Sequence, residues 1–310
     1  MQEFLNSVEA VSVILILTAT GYLCAAMGWF KAEDKAFVSK LLMLIAAPCM
    51  CVYGLRSHLT RELLRDAGVM LLIPLFCIGT CFVLSYVVGR LLKLPRRTFG
   101  VFMMMCGISN SFFIGYPMCT ELFGDSCIPY VMTYYVVSSS FTQMVGTSLV
   151  RWAGETESLS RKMLIRFFRA PTVIGIVVGI LIVLLDIKPP ELVMSYGKYM
   201  SQLVTPLALL VTGKIIHEIG LRDTRIDRNI AIVLLFRFLL APFLCFSFCR
   251  VFGVSGLANS VFVIQSAMPT TTQSVVAASE YGADESLAAQ GAAITTLASF
   301  AVIPILTVIL

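Results

Sequence analysis

Two stretches of the chain crowd Ser, Thr, Asn and Gln around a proline inside otherwise apolar sequence. The first runs Ile108-Ser109-Asn110-Ser111-Phe112-Phe113-Ile114-Gly115-Tyr116-Pro117, the second Gln265-Ser266-Ala267-Met268-Pro269-Thr270-Thr271-Thr272-Gln273. Such side chains supply neutral hydrogen-bond donors and acceptors. The proline adds backbone groups: it lacks an N–H and clashes with the carbonyl four residues back, at about 3 kcal/mol in a helix interior. A half-helix that restarts after such a break has unpaired N–H groups and a partial positive charge at its N-terminus, which favour a carboxylate or other anion. A cavity made of Ser109, Asn110, Ser111, Gln265, Ser266, Thr270, Thr271, Thr272 and Gln273 with these backbone ends suits an organic anion or a weakly hydrated cation. The chemistry expected is binding.

The elements around these stretches must be membrane helices. Hydrophobic residues make up 58% of the chain and charged residues 13%, against roughly 45–50% and 25% in a soluble domain. A broken helix at membrane depth is tolerated only where protein or a water-filled cavity satisfies its backbone. Paired Gly/Pro-interrupted segments in corresponding halves of a chain therefore point to a ligand site near the midplane. A lone proline with Ser or Thr beside it is commonly just a kink; two matched segments with Asn and Gln inside favour the site. Pro48, Pro74, Pro206 and Pro242 are expected to be ordinary kinks.

A span needs about 20 helical residues, and ten stretches offer them: 8–29, 36–55, 67–92, 98–122, 126–150, 170–187, 199–219, 229–252, 256–280 and 286–310. The first lacks a preceding basic region and a cleavage site, so it is expected to be retained. No polar stretch exceeds about 20 residues, short of the ~50 that a soluble domain requires. Cys24, Cys49, Cys51, Cys77, Cys81, Cys106, Cys245 and Cys249 lie in apolar runs, where Cys acts as a small hydrophobe. They are assigned no redox or metal role.

With both termini outside, the inner loops hold fourteen Lys and Arg (Lys31, Lys35, Arg90, Lys93, Arg96, Arg97, Arg151, Arg161, Lys162, Arg166, Arg169, Arg222, Arg225, Arg228) against six outside (Arg56, Arg61, Arg65, Lys188, Lys198, Arg250). That satisfies the positive-inside rule, with Arg56, Arg61 and Arg65 as the exception. The net charge of +5 follows from this asymmetry, so no nucleic-acid partner is implied. The polar stretch Arg151 to Arg169 divides a single transmembrane domain, 1–310, into repeats 1–150 and 170–310 joined by the loop 151–169. Pro48 to Pro206 and Gly124 to Gly282 share one interval of 158 residues. Five spans per copy force the second copy to enter with opposite orientation, an inverted repeat.

Charges within spans mark function more often than not. Arg237, about nine residues into span eight, either attracts an anion or locks helices by binding carbonyls; the sequence leaves both open. Lys214, His217 and Glu218 at the end of span seven are expected to snorkel, and Tyr134, Tyr135 and Ser138 either line the cavity or pack. An intramembrane enzyme would want an activated nucleophile, a carboxylate pair or a metal cluster. The two histidines, His58 and His217, fall at loop edges in different halves, and no His-Glu-x-x-His or Gly-x-Ser-x-Gly occurs, so no enzyme is expected.

At Asn110, Gly115 and Pro117, an Asn-x-x-x-x-Gly-x-Pro pattern, the chain resembles the auxin efflux carrier family in its bacterial branch. The likeness continues through Met268-Pro269, Ala277-Ala278, Tyr281-Gly282, the acidic Asp284-Glu285 loop and the final Ala/Thr/Ser-rich helix. The resemblance implies an all-α membrane fold like that of sodium–bile acid symporters: ten helices in two inverted five-helix repeats, with broken helices four and nine crossing at proline. It implies that Asn110, Pro117 and Pro269 face substrate, and that the substrate is a small organic anion, a carboxylate, moved by alternating access across the bacterial cytoplasmic membrane. Spans one, two, six and seven would be part of the scaffold. The large cytoplasmic loop of many plant members is missing, which shifts expectation to a small bacterial carrier. No cofactor is expected. Coupling to protons or sodium and a homodimer stay open, as do a sodium-coupled symporter of the bile-acid type and a non-transporting receptor or sensor.

Overall fold

In a bilayer the backbone has no water to bond, so apolar stretches close their hydrogen bonds within themselves as helices. The computed structural model describes residues 2–154, 171–220 and 226–309, with the side chains of 2–7 and 61–67 left aside. Among the described residues, all regular structure is helical except one isolated two-residue bridge. Ten transmembrane elements follow in order: α1 Gln2–Ala26, α2 Ala32–His58, α3 Arg61–Leu91, α4 in two pieces, α5 over 128–153, α6 Pro171–Leu184, α7 Glu191–Ile219, α8 Arg228–Val251, α9 in two pieces, and α10 Glu285–Ile309. The pieces are α4a Arg96–Gly107, α4b Gly115–Phe123, α9a Leu257–Ser266 and α9b Gln273–Tyr281. Each matches an expected span to within a few residues at most ends; α3 and α7 begin earlier.

Local chemistry sets the ends. Asp227 caps α8, its carboxylate accepting from the Ile230 N–H at 2.8 Å. Asp284 does the same for α10 through Leu287 N–H at 3.0 Å, and its other oxygen accepts from the Thr98 hydroxyl at 2.8 Å, tying the starts of α4a and α10 together. Pro48 and Pro242 are not simple kinks. Each follows a π-helical turn, Leu42–Ala46 in α2 and Phe236–Leu240 in α8, where one extra residue per turn absorbs the missing N–H. Pro74 sits inside an unbroken α3.

The halves repeat. Left-handed residues end matching helices: Gly28 (φ +74°) and Asp186 (φ +51°) after α1 and α6, Gly124 (φ +70°) and Gly282 (φ +66°) after α4b and α9b, each pair at the 158-residue interval. The restarted pieces begin at Gly115 and Gln273, again at that interval. Packing partners exchange between halves, as inverted repeats require: α1 lies on α7 and α6 on α2, while α10 touches α4a and α5 touches α9a. Gly21 in α1 and Gly179 in α6, equivalent in the repeat, sit at the two helix contacts, Gly21 against the Leu210 backbone and Gly179 against Leu55 and Cys51. Small residues at such points let backbones approach closely. One buried apolar cluster joins α1, α2, α6 and α7 with α4b, a second joins α3, α4a, α8 and α9b, and α5, α9a and α10 contribute to both.

All ten cysteines are free and eight of them buried. Charges at the two ends of α2 are tied to neighbours: Arg56 donates to the Ile187 carbonyl at 3.2 Å at one end, and Lys35 pairs with Glu218 at the other. Most of the 151–169 loop, with Arg161, Lys162, Arg166 and Arg169, and also Arg222 and Arg225, lies outside the described residues.

Candidate functional site

The two breaks satisfy each other. The two breaks, 108–114 and 267–272, cross at short extended stretches around Ser109 and Thr270, which form the antiparallel bridge. Asn110 N–H donates to the Pro269 carbonyl at 2.8 Å, and Thr271 N–H to the Ile108 carbonyl at 3.4 Å. Pro269 suits this place because it has no N–H to orphan. Pro117 is different: the expectation that helix four breaks at its proline is corrected, since Pro117 lies in the first turn of α4b, after the break. There the missing N–H would have been unpaired anyway.

The carbonyl ends of the breaks have a cation. Arg237, 1% exposed, donates from Nε to the Met268 carbonyl at 3.0 Å, from Nη1 to Cys106 at 3.2 Å and from Nη2 to Ser266. One guanidinium thus joins the C-terminal ends of α4a and α9a, where orphan carbonyls and the negative dipole end favour a positive charge. Of the two readings open in the sequence, helix locking is the one built here. The expectation for Lys214 is also corrected: it is buried and pairs with Glu218 at 3.6 Å, and Glu218 also binds Lys35, so the group locks α2 to α7.

Beside the crossing lies a cavity of about 300 Å³. Of the expected site residues, Ser109, Asn110, Ser111, Thr271 and Gln273 line it. Asn110 is 3% exposed; its Oδ1 accepts from Phe113 N–H at 3.2 Å and its Nδ2 has no partner. Thr271 Oγ1 accepts from Gln273 N–H at 3.3 Å. The restarting ends of α4b and α9b abut the cavity through Phe113 and Gln273.

The other expected residues stand behind this wall. Gln265 is fully buried, its Nε2 3.5 Å from the Cys119 thiol and its Oε1 facing Gly115, where a Cβ would overlap it. Ser266 bonds back to the Val263 carbonyl at 2.7 Å. Thr270 is held by Thr295, N–H to Oγ1 at 3.1 Å. Gly115, Pro117, Pro269 and Thr272 do not line the cavity either.

The far wall comes from α5 and α6. Tyr135, Ser138, Ser139, Thr142 and Gln143 face the cavity with Thr172. The five α5 residues recur at helical spacing, so they form one polar stripe; that periodicity was the available signal for Ser139, Thr142 and Gln143. Tyr134 packs in the second apolar cluster instead. Among the described residues no Asp, Glu, Lys, Arg or His lines the cavity. Among the described residues no three His, Cys, Asp or Glu are grouped as metal ligands would be. Phe112 stacks near Tyr135 at 5.2 Å and Tyr116 at 6.5 Å, and belongs to the packed cluster on one side of the crossing. Phe112 lines the cavity as well, which opens between the middle of α5 and the start of α6.

Comparison with known proteins gives a consistent result. A family model described as a membrane transport protein matches residues 6–156 and 153–309. An uncharacterized transporter of Methanocaldococcus jannaschii is 23% identical over 301 residues, covering 95% of this chain and 96% of the relative. Another, of Methanothermobacter thermautotrophicus, is 24% identical over 311 residues and covers 99% of each. An uncharacterized transporter of Saccharomyces cerevisiae is similar over 94 residues, 30% of this chain and 15% of the relative, at 23% identity. The two full-length relatives are archaeal.

Proposed function

The chain belongs to the membrane transport protein family, that of the auxin efflux carriers, and from that premise we propose that it is a secondary-active permease for small organic anions, carboxylates first among them. The observation that carries this reading is the polar cavity of about 300 Å³ set against two restarting helix ends, with Asn110 among its lining residues and the Asn110 Nδ2 buried without a partner. Backbone N–H groups and dipole ends attract an anion without a fixed cation. Among the described residues no carboxylate lines the cavity to repel it.

In this reading the substrate carboxylate meets Asn110 Nδ2, the hydroxyls of Ser138 and Thr142, and the start of α9b. Arg237 stays on the opposite, carbonyl side of the crossing and holds its shape. Alternating access would move the bundle that carries the crossing helices against a scaffold made partly of α1, α2, α6 and α7, four helices whose buried residues share one cluster with α4b and part of α9a. Residues 1–150 and 170–310 act as the two copies. Placement in a bacterial cytoplasmic membrane with both termini outside belongs to the same proposal.

The runner-up is a sodium-coupled symporter. Neutral oxygens of Thr271 and Gln273 in the cavity wall favour it, since sodium takes oxygen ligands. The test is a thermal-shift screen of the purified protein against mono- and dicarboxylates, with and without sodium and across pH. Binding to the folded state raises the midpoint by RT ln(1 + [L]/Kd). A carboxylate shift independent of sodium supports the permease, a shift that needs sodium supports the symporter, and no shift with any carboxylate overturns the anion assignment. Flux into proteoliposomes separates a carrier from a non-transporting sensor.

A further inference from the structure

A second hollow, of about 430 Å³, lies where the α3–α4a turn meets the end of α5, remote from the crossing. Its lining is unusual for this chain: Arg90, Lys93 and Arg96 with Phe99 and Trp152, and, among the described residues, no carboxylate. Among the described residues none of the three cations is ion-paired. Two of them are held in place by rings instead. The Arg90 guanidinium stands 5.3 Å from the Tyr86 ring centre and 5.9 Å from that of Phe99, and its Nε donates to the Tyr86 hydroxyl at 3.2 Å. The Arg96 guanidinium covers Trp152 at 4.8 Å. Lys93, at φ +52°, reverses the chain and turns toward the same hollow.

Positive-inside topology alone would scatter these charges over a solvated loop. Here they converge on one concavity at the level where α3 ends and α4a begins, the membrane–water interface. Aromatic contacts fix two guanidinium groups before any ligand arrives, which lowers the ordering cost of binding. Basic pockets between transmembrane helices at such a face suit a phospholipid headgroup, and planar guanidinium groups suit phosphate oxygens. We infer that this hollow is a binding site for the phosphate of an anionic phospholipid, with Arg90, Lys93 and Arg96 as its ligands and Trp152 beside the glycerol and upper acyl chain.

The chain has two tryptophans, so Trp29→Phe leaves Trp152 as the sole tryptophan of the full-length protein, read by excitation at the red edge where tyrosine does not absorb. The variant is reconstituted into phosphatidylcholine vesicles with a small fraction of shallow-brominated phosphatidylglycerol or, in parallel, brominated phosphatidylcholine. The quantity read is the ratio of quenching by the two lipids. The site predicts clear preference for phosphatidylglycerol, falling roughly fivefold for each cation removed in Lys93→Gln and Arg96→Gln. Lys93→Arg should retain it. Equal quenching by both lipids, or a preference that survives the double substitution, overturns the site. If millimolar inorganic phosphate abolishes the preference, the seat takes free phosphate and the lipid assignment falls. None of these readings depends on transport, so they stand apart from the fate of the permease proposal.

Discussion

Arg237 Nε stands 3.0 Å from the carbonyl oxygen of Met268, in the break of the ninth helix, while the same guanidinium reaches Cys106 at the end of α4a. A single side chain on α8 therefore couples both discontinuous helices. Arg237→Met would orphan three buried carbonyls at about 1–3 kcal/mol each, a total loss of at least ~3 kcal/mol. The thermal midpoint in detergent should drop sharply. Arg237→Lys should recover only part of it, because an ammonium cannot span the three acceptors as a planar fork does. A midpoint unchanged in Arg237→Met would show that water, not Arg237, satisfies these carbonyls.

Asn110 separates binding from folding. In Asn110→Ala the bond from Phe113 N–H is lost, at about 1 kcal/mol, so the protein should still fold. Loss of a donor to a carboxylate costs about 1.5–3 kcal/mol, roughly 10- to 150-fold in flux at low substrate. Asn110→Asp keeps the acceptor for Phe113 and puts a negative charge in the cavity. Anion flux in proteoliposomes should then fall below that of the alanine variant; flux equal to the parent in either one would remove Asn110 from the substrate's path.

Gly115 and Gln265 form a size-matched pair. A Cβ on Gly115 overlaps the Gln265 side-chain oxygen, so Gly115→Ala should destabilise by about 1–3 kcal/mol through overpacking. Adding Gln265→Ala makes room, and the double variant should be more stable than the sum of the single effects implies, as neighbours in contact are not additive. Strict additivity in a double-mutant cycle by thermal melt would contradict the contact.

The repeat-related glycines at the scaffold contacts are not equivalent in what surrounds them. A Cβ on Gly21 meets the Leu210 backbone, whereas on Gly179 its nearest neighbour is the Leu55 side chain at 3.0 Å. Backbone cannot step aside and a leucine terminus can, so Gly21→Ala should lower the melting midpoint more than Gly179→Ala. The reverse order would mean that α1 and α7 are not packed as described.

The sensitivity of this crossing to single side chains sets how far one-dimensional reasoning could go. Ten spans, the division into halves and the two discontinuities were legible because they follow from local rules: apolar runs of bilayer length, the 158-residue recurrence of Pro48 with Pro206 and of Gly124 with Gly282, and proline among polar residues. Asn110, Ser111 and Thr271 were found as cavity residues on the same grounds. Gln265, Ser266 and Thr270 were grouped with them, yet they face protein: Gln265 and Ser266 end α9a, where they meet Cys119 and the Val263 carbonyl, and Thr270 in the break is turned to Thr295, partners that local sequence does not reveal.

Local sequence therefore determined that this chain is a membrane bundle with two interrupted helices, since burial of backbone polar groups in lipid admits few other solutions. Only the tertiary structure decided that the breaks hydrogen-bond to each other, that Arg237 holds their carbonyl ends, and that the polar stripe of α5 closes the cavity. Those are contacts between different helices, from about thirty to more than a hundred and fifty positions apart, or between helix faces whose rotation depends on every neighbour, and no single segment encodes them.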